Sequence, residues 1–142
     1  MDEGCNNRER YPEGIVDWCE IIESNAAEFG LDPLLIAAVM KVESGGQPEV
    51  ISSSGAVGLM QIMPSDGIAA GFQCLNGPCF TGRPTTDELR DPAFNVMYGT
   101  RMLAGLIERN GNTRDALKSY GPYDVGYWYA DLVLQLYGNL LG

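Results

Sequence analysis

The dipeptide Asp-Pro occurs at two places in this chain, Asp32-Pro33 and Asp91-Pro92, and each opens a stretch whose apolar residues recur at helical spacing. Asp is a strong helix N-cap and Pro is best tolerated at the first helical position, so both pairs mark helix starts. After Pro33 the stripe is Leu35, Ile36, Val39 and Met40, which predicts an amphipathic helix ended by Gly45-Gly46. After Pro92 it is Phe94, Met97, Tyr98, Met102, Leu106 and Ile107, ending near Asn110-Gly111. The same spacing in Ile15, Trp18, Cys19, Ile22, Ala26 and Phe29 predicts a first helix over 14–29, stopped by Gly30. Thr113 caps a shorter helix through Ala116, Leu117 and Tyr120, broken by Gly121-Pro122; a last helix spans 126–137 with Tyr129, Val133, Leu136 and Tyr137 inward. Residues 52–71 read as a Gly/Ser-rich loop followed by short helical turns, and 72–89 as an ordered surface loop. No segment alternates convincingly as a strand, although 52–89 has room for a small hairpin. The expected fold is mainly α-helical, and the length of 142 residues suits a single domain.

Composition narrows the chemistry. The chain contains no histidine, which removes Ser-His and Cys-His catalysis and His-ligated metals. Proton transfer near neutral pH then falls to a carboxylic acid of raised pKa, or to Tyr, Lys or Cys. A net charge of −10 argues against a nucleic-acid partner. No apolar run approaches the roughly 20 residues of a membrane helix. The first residues, Met-Asp-Glu-Gly-Cys, do not read as a signal peptide. Four cysteines, Cys5, Cys19, Cys74 and Cys79, form no C-x-x-C pair. An even count in a small domain suggests two disulfides and an oxidising compartment, against the alternative of reduced thiols. Of three connectivities, sequence proximity favours Cys5–Cys19 and Cys74–Cys79, the second closing a loop around Asn76.

One carboxylate breaks the pattern. Glu43 follows Val39 by four residues and Met40 by three, so it projects from the apolar stripe of its helix. Partial desolvation disfavours its charged form, and so does the negative end of the helix dipole. Both effects hold a proton near neutral pH, as a general acid requires.

Glu43-Ser44 followed by Gly58-Leu59-Met60-Gln61-Ile62-Met63-Pro64 resembles the soluble lytic transglycosylase family, which has a goose-type-lysozyme-like fold with a substrate cleft. Three later blocks agree in order: the Asn95–Leu106 helix with its central Gly, Ala116 to Pro122, and Tyr129 to Leu134. The resemblance covers 31–137 as a family core, with 1–30 a helical extension. It makes Glu43 the catalytic acid and base and implies that Ser44 helps place the substrate's N-acetyl group. Gln61 and the Gly58-Leu59-Met60 backbone would line the cleft, while the side chains of Leu59, Met60 and Met63 read more simply as core. Asn95 would be structural, or stand behind the residues that contact substrate, Tyr120 would point at Glu43 and orient or stabilise it, and Tyr129 would sit on the cleft wall. The family usually has Asn directly after the motif Tyr; here Gly121-Pro122 follows Tyr120, which reads as a one-position deletion of that Asn.

Ordinary glycosidases use two carboxylates. Between Ser44 and Gln61 there is only Glu49, which reads as solvent-exposed, and the next acid, Asp66, reads as a loop or cap residue. A single carboxylate suits the cofactor-free, non-hydrolytic cleavage that the family implies, with a 1,6-anhydromuramoyl product. A hydrolytic muramidase on the same fold, and a non-catalytic glycan-binding or virion structural module, are the alternatives. The expected partner is peptidoglycan, met by a monomer outside the cytosol, whether periplasmic, secreted, or part of a phage lysin or tail.

Overall fold

A computed structural model describes residues 5–75 and 77–142. The expectation about the N-terminal leader falls on residues 1–4, outside the described residues, as does Asn76. Among the described residues six α-helices carry the fold: α1 (Cys19–Phe29), α2 (Pro33–Glu43), α3 (Thr86–Leu89), α4 (Pro92–Asn110), α5 (Thr113–Tyr120) and α6 (Trp128–Leu141). Single 3₁₀ turns occur at Arg8–Arg10, Val16–Trp18 and Ile68–Gly71. The only paired strands among the described residues form a small antiparallel hairpin, β1 (Gln73–Cys74) with β2 (Gly77–Pro78). It lies within the segment that had room for one.

Both Asp-Pro starts hold. Asp32 Oδ1 accepts the Leu34 N–H at 2.9 Å, and Asp91 Oδ1 accepts that of Ala93 at 3.1 Å. What the periodicity of α2 understates is its burial. Leu34, Leu35, Ile36, Ala37, Ala38, Val39 and Met40 are all buried, so α2 is not amphipathic but the central helix, apolar on every side. α1 and α6 pack against it, while α4 packs on α1 and α5. On α4 the buried residues are Asn95, Val96, Gly99, Thr100 and Leu103. Phe94, Tyr98, Met102, Leu106 and Ile107 are only partly buried, so the inner face is turned from the expected stripe.

Three other boundaries move for tertiary reasons. The helix expected over 14–29 begins at Cys19, because Gly14 has φ 85° and lies against the turn after α2. A Cβ on Gly46 would come within 2.0 Å of the Gly14 carbonyl oxygen, an approach open only to glycine. Asn112, not Thr113, caps α5, accepting the Asp115 N–H at 2.9 Å. α6 starts at Trp128 because Gly126, with φ 59°, is still in the preceding turn. The end of the 72–89 loop is also helical. Thr85 and Glu88 form a reciprocal capping box at α3.

The stretch 57–63 does not form helical turns. Val57 and Ile62 exchange two backbone hydrogen bonds of 3.0 and 3.1 Å, and Gln61 N–H returns to the Gly58 carbonyl at 3.1 Å. Asn95, fully buried, fastens this turn to α4. Its Oδ1 accepts the Met60 N–H at 2.8 Å, and its Nδ2 donates to the carbonyls of Val57 (2.8 Å) and Leu89 (2.9 Å). Gly58 leaves the room for it, since a Cβ there would lie 2.4 Å from Asn95 Nδ2. Disulfides join Cys5 to Cys19 and Cys74 to Cys79, as sequence proximity favoured.

Replacing Asn95 with Ala would strip one partner from three buried backbone groups, each worth about 1–3 kcal/mol. We expect Asn95→Ala to lose about 3–5 kcal/mol of unfolding free energy in a denaturant titration. A loss under 1 kcal/mol would mean that water replaces the amide.

Candidate active site

Glu43 is the last residue of α2, and its position is fixed by the turn that follows. The Gly45 N–H bonds back to the Met40 carbonyl at 3.1 Å, and the Trp18 indole donates to the Gly46 carbonyl at 2.9 Å. Lys41 Nζ reaches the Glu13 carbonyl at 3.1 Å. The segment before α1 therefore braces the C-terminal end of α2.

The carboxyl of Glu43 points inward to α6. Tyr129, itself buried, donates its hydroxyl to Glu43 Oε2 at 2.5 Å. Two opposed effects act on the acid. Burial disfavours the charged carboxylate, and the Tyr129 hydrogen bond favours it. Burial dominates, and the pKa is pushed up from 4.5 to about 7. No other carboxylate contributes to this shift. The Tyr129 phenol is raised far above its ordinary value, by burial first and the adjacent Glu43 second, so it stays protonated and donates.

Of the two tyrosines, Tyr129 is the one bonded to the acid. Tyr120, at the end of α5, does not bond to Glu43; its hydroxyl donates to the Met60 carbonyl at 2.9 Å. Burial and the charge of nearby Glu43 raise its pKa. Tyr129, expected on a cleft wall, is the phenol in contact with the acid. Gly121 makes this possible: a Cβ at 121 would stand 2.1 Å from the Tyr129 ring.

Ser44 also differs from expectation. Its hydroxyl donates to the Leu59 carbonyl at 2.8 Å and accepts the Gly46 N–H at 3.1 Å. It ties the end of α2 to the 58–61 turn and has no second proton to offer a substrate. Asn95 is likewise engaged wholly within the protein and supports the turn from behind. Leu59 and Met60 have fully buried side chains, so only their main chain can face a ligand. Gln61 adopts φ 52°, unusual for a non-glycine residue, and its amide donates to Gly58 (3.0 Å) and Val50 (3.1 Å) carbonyls. That bonding stabilises the turn and leaves Gln61 partly exposed.

The two other acids considered as partners are accounted for. Asp66 accepts the Thr86 N–H at 2.8 Å and its hydroxyl at 2.7 Å, contacts that hold its pKa below the usual carboxylate value. Glu49 is exposed. Two surface hollows, of about 380 and 430 Å³, are lined by 47–50 and by residues including Tyr11, Glu23 and Asp32, and Glu43 lines neither.

Missed from the sequence was Arg83. Its guanidinium Nη1 donates to the Met63 carbonyl at 3.1 Å and lies 5.2 Å from the centroid of the Phe80 ring. No motif announced it; the only signal was a cation in a strongly acidic chain.

Residues 20–129 match the family model described as the Transglycosylase SLT domain. Endo-type membrane-bound lytic murein transglycosylase A of Klebsiella pneumoniae is 38% identical over 118 residues, covering 76% of this chain and 56% of its own. The protein of that name from Citrobacter koseri is 34% identical over 111 residues, covering 71% and 53%. The chain thus spans a little over half the length of these curated relatives. Among solved structures, an inactive mutant of the lytic transglycosylase Slt from Pseudomonas aeruginosa matches with a TM-score of 0.63 at 21% identity, over 85% of this chain and 24% of that one. The 70 kDa soluble lytic transglycosylase of Escherichia coli matches with a TM-score of 0.52 at 24% identity, over 87% and 21%. At those identities the likeness establishes the fold, a mainly helical, lysozyme-like one. Since the family model spans well over half of its residues, this chain belongs to the transglycosylase SLT domain family.

Proposed function

We propose that this domain cleaves the β-1,4 bond between N-acetylmuramic acid and N-acetylglucosamine in peptidoglycan without water, with Glu43 as both acid and base. The observation that carries this reading is the part-buried Glu43 carboxyl, bonded to Tyr129, raised to about 7 and acted on by no second carboxylate among the described residues. Tyr129 occupies Oε2, which leaves Oε1 to carry the proton toward the substrate. Glu43 protonates the glycosidic oxygen as its bond to muramoyl C1 breaks. The ionised Glu43 then takes the proton of the muramoyl C6 hydroxyl, whose oxygen closes on C1. The product is a 1,6-anhydro ring, and Glu43 ends protonated again. The substrate's own N-acetyl oxygen stabilises the cationic centre, as in substrate-assisted glycosidases. Because the Ser44 hydroxyl is engaged, that group is placed by the main chain of 58–61 and by Gln61. The names of the relatives, lytic murein transglycosylases, support the substrate class. The two disulfides support a location outside the cytosol. No helix among the described residues is long and apolar enough to cross a membrane.

Mass spectrometry of purified peptidoglycan digested by the wild type should show anhydromuramoyl ends, and Glu43→Gln should release none. Reducing ends would make the enzyme a muramidase, and no release by the wild type would leave only a glycan-binding module.

The pH dependence follows from the direction of the shift. The active form is protonated, so kcat/KM should fall about tenfold per pH unit above roughly 7. The folded pKa of Glu43 lies above its ordinary value of 4.5, so its stabilising contribution is complete below about pH 4.5 and is lost as pH rises through about 7. Glu43→Gln does not titrate. Its stability relative to wild type should therefore rise by up to about 3 kcal/mol between pH 4 and pH 8, measured by denaturant unfolding.

Tyr129→Phe removes the one hydrogen bond that lowers the pKa of Glu43. The alkaline limb of the pH–rate profile should then move upward, with kcat reduced about tenfold by lost orientation. A downward shift would be inconsistent with Tyr129 donating to Glu43.

A further inference from the structure

The chain has 9 Lys and Arg against 19 Asp and Glu, so a partly buried guanidinium would ordinarily meet a carboxylate. The side-chain ion pairs among the described residues are Arg90–Asp87 and Arg114–Asp131; Arg83 has none. One of its five N–H groups is engaged by the Met63 carbonyl, and one face rests over Phe80. The rest of the planar fork, suited to two-point recognition of a carboxylate, has no described acceptor.

Its position is built from both sides. The Arg83 N–H closes a turn on the Phe80 carbonyl at 3.1 Å, with Gly82 at φ 84°. The neighbouring Pro84 carbonyl accepts the Ser65 N–H at 2.9 Å. Upstream, the Cys79 N–H bonds to the Phe72 carbonyl at 2.8 Å, and the Cys74–Cys79 disulfide staples the same segment. Met63, which holds the guanidinium, follows Gln61 by two residues. Tyr120 bonds to the Met60 carbonyl and Arg83 to that of Met63, so both side chains meet one short segment, and the Tyr120 phenol feels the charges of both Glu43 and Arg83. A segment that carries none of the family motifs thus delivers a free cation to the Glu43 side of the molecule.

We propose that Arg83 is a specificity-determining residue that receives a carboxylate borne on the O3 substituent of the muramoyl sugar. This rests on the function proposed above. The hexosamine rings are uncharged, and the anion nearest the scissile bond is on that substituent. It is either the lactyl carboxylate of a peptide-free strand or a carboxylate of the stem peptide. A chain of net charge −10 repels an anionic polymer at long range, so a local cation held in place is where charge recognition can act.

The test measures kcat/KM of wild type, Arg83→Gln and Arg83→Lys on matched substrates: peptide-free strands with the lactyl carboxylate free or amidated, and peptide-bearing strands with stem carboxylates free or esterified. Wild type should prefer the free acid by about tenfold in at least one pair, and that pair identifies the source of the carboxylate. Arg83→Gln should abolish this preference, acting on the free acid and little on the neutralised partner; Arg83→Lys should retain part of it. Equal losses on both members of each pair would make Arg83 only a strut for the Met63 turn and overturn the inference, and so would a wild type without preference. A wild type forming no anhydro ends on any substrate would instead remove the proposed function, and this inference with it.

Discussion

The side-chain amide of Asn95 is the fastening on which the rest of the site depends. It is buried within α4 and serves three backbone groups from two other segments, the 57–60 turn and the end of α3. The turn pivots on Gly58, and glycine gives up more conformational freedom than other residues on ordering. The amide supplies what the turn lacks, and Gly58 is the residue that lets it approach. Once fixed, the turn accepts two more bonds. Ser44 holds the Leu59 carbonyl, and Tyr120 holds that of Met60. The first comes from the residue after Glu43 and the second from α5, so one polar side chain in the core coordinates α2, α4 and α5 around the acid.

Glu43 works against that order. Its displaced pKa corresponds to about 3 kcal/mol of unfavourable free energy when it is ionised in the folded domain. That is comparable with the gain from burying one or two core side chains. The domain can sustain it because α2 presents seven consecutive buried residues just before the acid, and because the adjoining turn is braced by Trp18 and Gly14. The same burial that makes α2 the centre of the core is what desolvates its last residue. Stability and acidity share a cause, and a more open site around Glu43 would relax one while losing the other.

What was legible in the sequence was local. Asp32 and Asp91 declare their helices because capping and the restriction of Pro act within a few residues. Glu43 stood out because three- and four-residue spacings relate it to Val39 and Met40 on any helix. The late start of α1 was not legible, since it follows from a backbone contact between Gly14 and Gly46, more than thirty residues apart. Nor was the full burial of α2, which depends on what packs against Ala37 and Ala38 rather than on where they fall in a period. The capping box at Thr85 and Glu88 was present in the sequence, but the helix it begins is a single turn without a periodic stripe. That Tyr129 and not Tyr120 bonds to Glu43 marks the limit of motif reading. Order along the chain brings both phenols to the acid's neighbourhood, but only the packing of α5 and α6 decides which hydroxyl reaches it.

The departure at position 121 then has a physical reason. Gly121 has φ −82° and ψ −163°, a conformation any residue can adopt, so no backbone requirement calls for glycine. The requirement is space. The Tyr129 ring occupies the volume in which any side chain at 121 would begin. A residue with a Cβ there and Tyr129 in its present place exclude one another. In this chain the bare backbone at 121 is what admits the α6 phenol beside Glu43. Without a Cβ at 121, the Tyr129 ring has the room to make the hydrogen bond that orients the acid.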